Sequence, residues 1–382
     1  MAKADRNHPA DRNHPNGAPK VDLYNLSLAE IEALIASWDD LCSPAAQHRA
    51  PGFYAREIWD SLYRRTATAF EEMATLPQEL RERLAAETSF LVPSVLARQE
   101  APDGETRKDL LQLADGEQIE VVLLRYLKRR SGCISTQIGC ACGCPFCATG
   151  QMGFVRQLTS GEIVAQVLHL QRELATRGRK LSNVVLMGMG EPLLNYEQVL
   201  AAMRRLTDQR GFGLAQRRIT LSTVGIAPGI ERLSDESLNI GLAISLHAAT
   251  DALRNQLVPI NQRYPLDDLF AAVAHYTTQT QRRVMFEWIM IDGVNDTPQQ
   301  AEALTARLAG LPAHVNLMRL NPTPDYDQRP STAAAMEAFA AALDRAHIPH
   351  TMRQRRGGAI AAGCGQLRPQ RVETIRERRD NI

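Results

Sequence analysis

The sequence of 382 residues has almost no net charge, few cysteines outside one short segment and no long apolar run. Seven cysteines in a chain of this length exclude a disulfide-stabilised secreted domain. The longest segment without charge or His, 131–155, is dominated by Gly, Ser, Thr, Gln and Cys. It therefore differs from the ~20 apolar residues of a membrane-spanning helix. Residues 1–20 lack the apolar segment of a signal peptide. These features predict a cytoplasmic protein that does not bind a membrane.

The net charge of +1, from 44 Lys and Arg against 43 Asp and Glu, at first argues against a polyanionic partner. The charge is unevenly distributed, however. Residues 1–120 contain 13 basic and 21 acidic residues, whereas residues 121–382 contain 31 and 22. The acidic first part therefore conceals a basic second part, which is compatible with RNA binding. Basic residues concentrate at 125–130, 204–205, 217–218 and 353–356.

Local patterns divide the first third of the chain into three parts. The hexapeptide ADRNHP occurs twice in succession, which predicts a disordered tail over residues 1–20. Helical periodicity over residues 21–100, with a capping box formed by Ser27 and Glu30, predicts a small helical domain. Two strand-like segments around Ala114-Asp115-Gly116 predict a β-hairpin connector over residues 101–130.

From residue 131 onwards, short apolar segments alternate with helical patterns. One helix is expected after Thr159, whose capping box is completed by Glu162. This alternation is typical of parallel βαβ units, and six units are too few for a closed eight-stranded barrel. We therefore expect an α/β fold with a partial (β/α)6 barrel over residues 131–350 and a C-terminal segment over 351–382. The predicted strands are 134–138, 183–187, 218–223, 242–247, 284–291 and 315–321.

Five of the seven cysteines lie within fifteen positions, and three of them have the spacing Cys140-x3-Cys144-x2-Cys147. Three thiolates in one loop suit a 4Fe-4S cluster with one open iron, which S-adenosylmethionine requires in radical chemistry. The alternative is zinc, which needs four ligands, and no fourth Cys or His follows closely in the sequence. Cys142 lies at the wrong spacing, and we interpret it as a bystander.

A second motif, Gly188-Met189-Gly190-Glu191-Pro192, directly follows the strand 183–187. Pro192 and the missing third glycine exclude a dinucleotide-binding fingerprint. A glycine turn lets the backbone approach a ligand, and the Glu191 carboxylate is able to hold the ammonium group of S-adenosylmethionine. The alternative is an ordinary βα turn capped by Glu191, but the nearby cysteine loop favours the ligand.

Together these motifs resemble one family, the radical-SAM adenine-C2 methyltransferases of 23S rRNA and tRNA (the RlmN family). The resemblance covers roughly residues 21–375 and rests on CISTQIGCACGCPFCATGQMGF, GMGEPLLNY, ITLSTVGIAPGI, AISLHA, VNLMRLNP and RGGAIAAGCGQL. It implies that Cys140, Cys144 and Cys147 bind one 4Fe-4S cluster. It also implies contacts to S-adenosylmethionine from Gly190, Glu191, Ser222, Ser245, Leu246, His247 and Asn321.

The resemblance further implies roles for three catalytic residues. Cys364 would accept a methyl group from one S-adenosylmethionine, and a radical from a second would abstract hydrogen from that methyl group. The carbon radical would add to adenine C2, and Cys133 would release the RNA by forming a transient disulfide with Cys364. Glu120 would accept the proton. Expected partners are 23S rRNA, tRNA and a flavodoxin-like electron donor, and the enzyme is expected to be a monomer.

Three positions depart from the family pattern. No acidic residue follows the glycines before Ala359, Gly363 stands where Ala is usual, and Asp109 stands where relatives often have an aromatic or apolar residue. Cys42 has no role that we can assign, and we expect it to be a small buried hydrophobic residue. Alternative functions are adenine-C8 methylation, as in the antibiotic-resistance branch of the family, another radical-SAM activity, and a non-catalytic RNA-binding module stabilised by zinc.

Overall fold

The structure is a computed structural model, and it describes residues 20–38, 49–354 and 356–369. Cys42 and nearly all of the expected N-terminal tail lie outside the described residues, as do residues 370–382. The described helices are α1 Leu28–Ala36, α2 Pro51–Tyr63, α3 Gln78–Glu87, α4 Ala148–Gln151, α5 Ser160–Ala175, α6 Tyr196–Thr207, α7 Ala227–Ser234, α8 Asp251–Leu257, α9 Leu266–Thr280, α10 Pro298–Leu308 and α11 Ala333–Arg345.

The strands divide into one large sheet and two small ones. The described strands are β1 Val21–Asp22, β2 Thr88–Ser89, β3 Ser94–Glu100, β4 Thr106–Gln112, β5 Gln118–Arg125, β6 Arg130–Cys133, β7 Gln137–Gly139, β8 Phe154–Gln157, β9 Asn183–Leu186, β10 Ile219–Thr223, β11 Gly241–Ser245, β12 Val284–Met290, β13 Ala313–Arg319 and β14 His350–Met352.

The large sheet forms the partial barrel that the alternating pattern predicted. Its described strands are arranged in the order β14-β13-β12-β11-β10-β9-β6-β5-β4-β3. All pairs from β6 through β14 are parallel, and helices connect them, whereas β3, β4, β5 and β6 pair antiparallel. The α/β class and the partial barrel are therefore confirmed. β14 adds a parallel strand that the sequence pattern did not predict.

The first barrel strand was predicted wrongly. It was expected at 134–138, but β6 spans Arg130–Cys133 and the chain leaves the large sheet soon afterwards. Helix α5 covers β6 so closely that a Cβ on Gly132 would lie 2.7 Å from Leu170 Cδ1. Only small residues fit there, so β6 lacks the apolar run by which a buried strand is usually recognised.

The hairpin formed by β4 and β5 is confirmed, with Leu111 opposite Ile119 in an antiparallel ladder. β3 adds a third antiparallel strand within a segment whose pattern we interpreted as helical. The helical segments before it are present, and Ser27 with Glu30 forms the expected capping box on α1. Thr159 and Glu162 form the second one on α5.

Side chains from the barrel helices join the N-terminal helices to the barrel. Arg172 on α5 donates hydrogen bonds to the Thr66 carbonyl and the Tyr24 hydroxyl, and Arg205 on α6 donates to the Leu26 carbonyl. Most buried apolar side chains form one core, and a smaller apolar cluster that includes Phe146 lies against the cysteine loop. No helix among the described residues is long and apolar enough to cross a membrane.

Candidate active site

The cysteine loop lies at the carboxyl end of the barrel sheet and is closed by its own backbone. The Cys147 amide donates to the Cys144 carbonyl at 3.1 Å, and the Cys140 amide donates to the Gly153 carbonyl at 2.8 Å. A Cβ on Gly150 would lie 2.9 Å from the Cys144 carbonyl oxygen, so only glycine fits this close turn. The loop therefore presents Cys140, Cys144 and Cys147, together with Cys142, to one cavity.

The glycine turn after β9 forms the next side of the cavity. Gly190 has φ +98°, and a Cβ there would lie 2.5 Å from the Gln137 Cβ. The Glu191 carboxylate accepts hydrogen bonds from the amides of Leu193 at 2.9 Å and Val224 at 2.7 Å. Burial raises the pKa of Glu191 to about 7, and these amides act in the opposite direction. The carboxyl group is thus held by two strand ends.

Two further strand ends contribute hydroxyl groups and an imidazole. Ser222 Oγ lies 3.4 Å from Ser245 Oγ, across the pair β10 and β11. His247 has φ +62° and accepts a hydrogen bond at Nδ1 from the Ile289 amide at 3.1 Å. Burial, together with the charge of Arg254, lowers the pKa of His247 to about 3. The imidazole is therefore neutral at physiological pH and acts only as a hydrogen-bonding and packing group.

The sequence-predicted residues divide into two groups in the structure. Nine of them line one cavity: Cys140, Cys144, Cys147, Gly190, Glu191, Ser222, Ser245, His247 and Cys364. Leu246 is instead fully buried in the main core, and Asn321 lies at a neighbouring groove. Cys133 lies beside the cavity on β6, and Glu120 lines a separate cleft. Cys142, interpreted as a bystander, also lines the cavity and hydrogen bonds to the Cys140 thiol, which lowers the pKa of Cys140.

The segment that carries Cys364 is fastened to the cysteine loop. The Ala148 amide donates to the Gly365 carbonyl at 2.7 Å, and Thr149 Oγ1 donates to the Leu367 carbonyl at 2.6 Å. Although Cys364 as a residue is exposed, its thiol lies in the cavity, where loss of water raises its pKa. These bonds hold the thiol beside the three cysteines, although Cys364 is remote from them in the sequence.

Cys133 and Cys364 lie close enough for their charges to interact. Burial raises the pKa of Cys133 to about 12, and a negative charge on Cys364 raises it further. The Arg353 guanidinium favours the thiolate form of both cysteines. Its own partner is the buried Glu287 carboxylate, 3.3 Å away, which also accepts a hydrogen bond from Asn316 at 2.8 Å.

Glu287 was not recognised as part of the site from the sequence, and Arg353 was recognised only as one of the basic residues near Cys364. Glu287 is buried, lines the cavity and stands within the otherwise apolar strand β12. A single carboxylate inside an apolar run was a usable signal, because a charge is buried only when it has partners. Its partners come from β13 and from the segment after β14, which no local pattern reveals.

Glu120 lies on β5 and faces away from the cavity, towards the cleft that it shares with Lys108. The Lys108 ammonium lies 2.7 Å from the Glu120 carboxylate, which also accepts a hydrogen bond from the Arg368 amide at 2.8 Å. Burial raises the pKa of Glu120, and Lys108 opposes that rise. The carboxyl group is therefore buried close to the segment that follows Cys364.

The donor set fits a 4Fe-4S cluster. The three cysteines of the predicted spacing, Cys140, Cys144 and Cys147, line one cavity, and in such a cluster each thiol would bind a different iron. Among the described residues, no three His, Cys, Asp or Glu side chains are placed to hold a single metal ion. The same cavity contains the glycine turn, two hydroxyl groups and a carboxyl group, which suit the polar groups of S-adenosylmethionine.

Comparisons with known proteins agree with this chemistry. Residues 134–303 match the family model described as the Radical SAM superfamily. "Dual-specificity RNA methyltransferase RlmN 1" of Myxococcus xanthus is 48% identical over 91% of this chain and 94% of its own length. "Ribosomal RNA large subunit methyltransferase N" of Nitrosopumilus maritimus is 41% identical over 91% and 98%. The crystal structure of a radical SAM methyltransferase from Sphaerobacter thermophilus is 44% identical, covers 91% of this chain and 99% of its own, and superposes with a TM-score of 0.86.

Proposed function

The chain belongs to the RlmN family of radical-SAM RNA methyltransferases, and on that premise we propose that it methylates C2 of one adenosine in 23S rRNA. The adenosine on the 3′ side of the anticodon in tRNA is the second proposed substrate. The observation that carries the proposal is the position of Cys364, whose thiol lines the same cavity as the three cluster cysteines. A methyl carrier must lie where the cofactor binds, and Cys364 meets this requirement.

Cys140, Cys144 and Cys147 would hold the 4Fe-4S cluster, and Glu191, Ser222, Ser245 and His247 would surround S-adenosylmethionine. When bound, these groups supply a methyl group and, from a second S-adenosylmethionine, a carbon radical. Cys364 takes up the methyl group as a thiolate, its sulfur forming the bond to carbon as the sulfonium bond breaks. This route is needed because adenine C2 is electron-poor and does not attack a sulfonium methyl group as a nucleophile.

Cys133 is the proposed resolving residue. After the carbon from Cys364 has bonded to adenine C2, enzyme and RNA are joined through the Cys364 sulfur. Once the adduct has lost one electron and the C2 proton, the Cys133 thiolate attacks the Cys364 sulfur and forms a disulfide. The bond from that sulfur to carbon breaks, its electron pair stays on the carbon, and this carbon takes up a proton to become the methyl group of the released RNA. The electrostatic interaction between the two cysteines supports this role, because it requires them to be close.

Glu120 is the proposed acceptor of the proton that leaves C2. Burial raises the pKa of Glu120, which suits a group that takes up a proton, and the adjacent Lys108 ammonium favours the carboxylate form. Because Glu120 lines a cleft separate from the cofactor cavity, the role requires the RNA base to reach the side of Cys364 that faces β5.

The decisive experiment is anaerobic reconstitution, followed by methylation of a 23S rRNA fragment and mapping of the modified atom. Methylation at C2 supports the proposal, whereas methylation at C8 would assign the enzyme to the antibiotic-resistance branch of the family. Absence of product from preparations with intact Cys364 would overturn it. The cluster itself predicts a brown, oxygen-sensitive protein with about four irons per chain, whereas a zinc module would be colourless.

The Cys133→Ala variant tests the resolving role. It should accumulate a covalent complex of enzyme and RNA, visible as a band shift that survives denaturation. Cys42→Ala provides the matched control, because no role is proposed for Cys42. If Cys133→Ala releases free methylated RNA as the wild type does, Cys133 is not the resolving residue.

Three further properties belong to the same proposal. The enzyme works as a monomer in the cytoplasm, and a flavodoxin-like protein supplies its electrons. Light scattering of the reconstituted protein tests the monomer. Replacement of the chemical reductant by reduced flavodoxin in the methylation assay tests the donor.

A further inference from the structure

A second groove meets the cofactor cavity at Cys364. It has a volume of about 440 Å³, and Cys364 and Met318 line both spaces. Its walls come from the end of β5 and the turn after it, from the end of β13, and from β14 and the segment that follows. We name it the arginine groove after its principal lining residues, Tyr126, Arg129, Arg319, Arg353, Arg356 and Cys364.

The walls of the arginine groove are far apart in the sheet order. β5 is separated from β13 by β6, β9, β10, β11 and β12. They meet at one groove because the sheet curls into a partial barrel, which leaves a lateral opening between its first and last parallel strands. A molecule that enters through this opening arrives at the Cys364 thiol.

Two arginines at this opening have no acidic partner among the described residues. Arg353 pairs with Glu287, and Arg356 pairs with Glu105. Arg129 and Arg319, by contrast, are exposed, and no described carboxylate lies within 4 Å of either guanidinium. Uncompensated guanidinium groups beside a reactive thiol create a positive potential that attracts an anionic substrate.

Tyr126 holds the arginines in place on one wall. The Arg129 guanidinium lies 4.1 Å from the centre of the Tyr126 ring, and that of Arg356 lies 4.6 Å from it. Two cations near one another repel, and the electron-rich ring face offsets part of that repulsion. Arg129 is therefore positioned before any ligand arrives, which lowers the entropy cost of binding.

We propose that the arginine groove is the route by which RNA reaches Cys364, with Arg129 and Arg319 binding phosphates on either side of the target adenosine. The guanidinium group suits this role because its planar donors match phosphate oxygens. The inference rests on the proposed function, and it identifies which residues of the basic part of the chain contact RNA. An acidic electron-donor protein would be attracted to the same charge, but the thiol within the groove favours the methyl acceptor.

The test compares Arg129→Gln and Arg319→Gln with wild type as reconstituted holoenzymes, using the 23S rRNA fragment. We expect each substitution to weaken RNA binding roughly tenfold, because it removes one charge-assisted hydrogen-bonded contact. The plot of log affinity against log salt concentration should become shallower by about one for each lost phosphate contact. Affinities are compared only between preparations with equal iron content and equal Cys364 methylation.

Arg263→Gln is the matched control. Arg263 is also exposed, its guanidinium lies 5.4 Å from the centre of the Tyr264 ring, and it does not line the groove. Its removal should leave the affinity and the salt slope unchanged. Equal losses in all three variants would mean a diffuse charge effect and would overturn the assignment of the groove.

The remaining outcomes separate this inference from the proposed function. If wild type methylates the RNA but Arg129→Gln and Arg319→Gln bind it as wild type does, the groove proposal fails and the function stands. If these variants fail to methylate RNA with reduced flavodoxin but methylate it normally with dithionite, the groove binds the electron donor. That result also overturns the proposal. If wild type methylates Cys364 but never RNA, the proposed function fails, and with it the groove.

Discussion

The Asn321 side chain donates a hydrogen bond to the main-chain carbonyl of Cys364 at 3.1 Å. Asn321 was expected to contact S-adenosylmethionine, and in the structure its side chain holds the segment that carries Cys364. Gly363 makes this approach possible, since a Cβ there would lie 2.6 Å from Asn321 Nδ2. The departure from the usual Ala at this position thus has a direct structural consequence.

Asn321→Ala should slow methylation of Cys364 roughly fivefold, the effect of losing about 1 kcal/mol of hydrogen bonding. Gly363→Ala should slow it less, because the amide end of Asn321 is flexible enough to shift. Anaerobic mass spectrometry of Cys364 over time measures both rates. A larger effect for Gly363→Ala than for Asn321→Ala would contradict the positioning role.

Gly190→Ala should destabilise the protein by roughly 2 kcal/mol and abolish binding of S-adenosylmethionine. The substitution combines a positive φ with a Cβ placed 2.5 Å from the Gln137 Cβ. Gly178→Ala is the control, since Gly178 has φ +63° with no atom within 4 Å of the new Cβ. Urea unfolding should show the destabilising effect of backbone strain in both variants. Calorimetric titration should show loss of S-adenosylmethionine binding only for Gly190→Ala.

Asp109 is the centre of a buried network, which explains its departure from the apolar residue usual in relatives. Its carboxylate lies 3.0 Å from Arg107, 3.0 Å from Arg98 and 2.8 Å from His169. Arg107 is 1% exposed, so Asp109→Asn removes one anionic partner from a buried cation. The free energy of unfolding, measured with urea, should fall by about 3 kcal/mol. The double variant Arg107→Met/Asp109→Leu should recover most of that loss, and no recovery would argue against this explanation.

Lys108→Met should move proton transfer to higher pH. The Lys108 ammonium opposes the effect of burial on Glu120, so its removal raises the pKa of that carboxyl group further. Release of methylated RNA by enzyme already methylated at Cys364, measured as a function of pH, should then require more alkaline conditions. Lys108→Arg keeps the charge and should leave the profile nearly unchanged. Equal pH profiles for Lys108→Met and Lys108→Arg would show that Glu120 does not accept the proton.

His247 should make the cofactor-free protein sensitive to acid. Burial lowers its pKa to about 3, so between about pH 6.5 and 3 the unfolded state binds a proton that the folded state does not. The contribution of His247 to the free energy of unfolding therefore falls by up to about 1.4 kcal/mol for each unit by which the pH decreases. His247→Asn, which tolerates the positive φ, should reduce that slope in urea unfolding. His275→Asn, on an exposed residue of α9, should not.

Local patterns in the sequence were sufficient for much of the fold. The capping boxes at Ser27 and Thr159 were predicted because all their components lie within four residues. The strands β9 to β13 were predicted because a strand buried on both faces is a short apolar run. β6 and β14 were missed because one consists of Arg130 and three small residues and the other is only three residues long.

The sequence by itself determined that Cys140, Cys144 and Cys147 line one cavity, because residues of one short loop are held close together by their spacing. Only the tertiary structure decided which other groups meet them. Cys364 joins the cavity, Glu287 pairs with Arg353, and Arg129 reaches the groove because the sheet curls and brings distant strands together. Such contacts depend on the packing of the whole chain, and burial then sets the charge states of the groups that meet there.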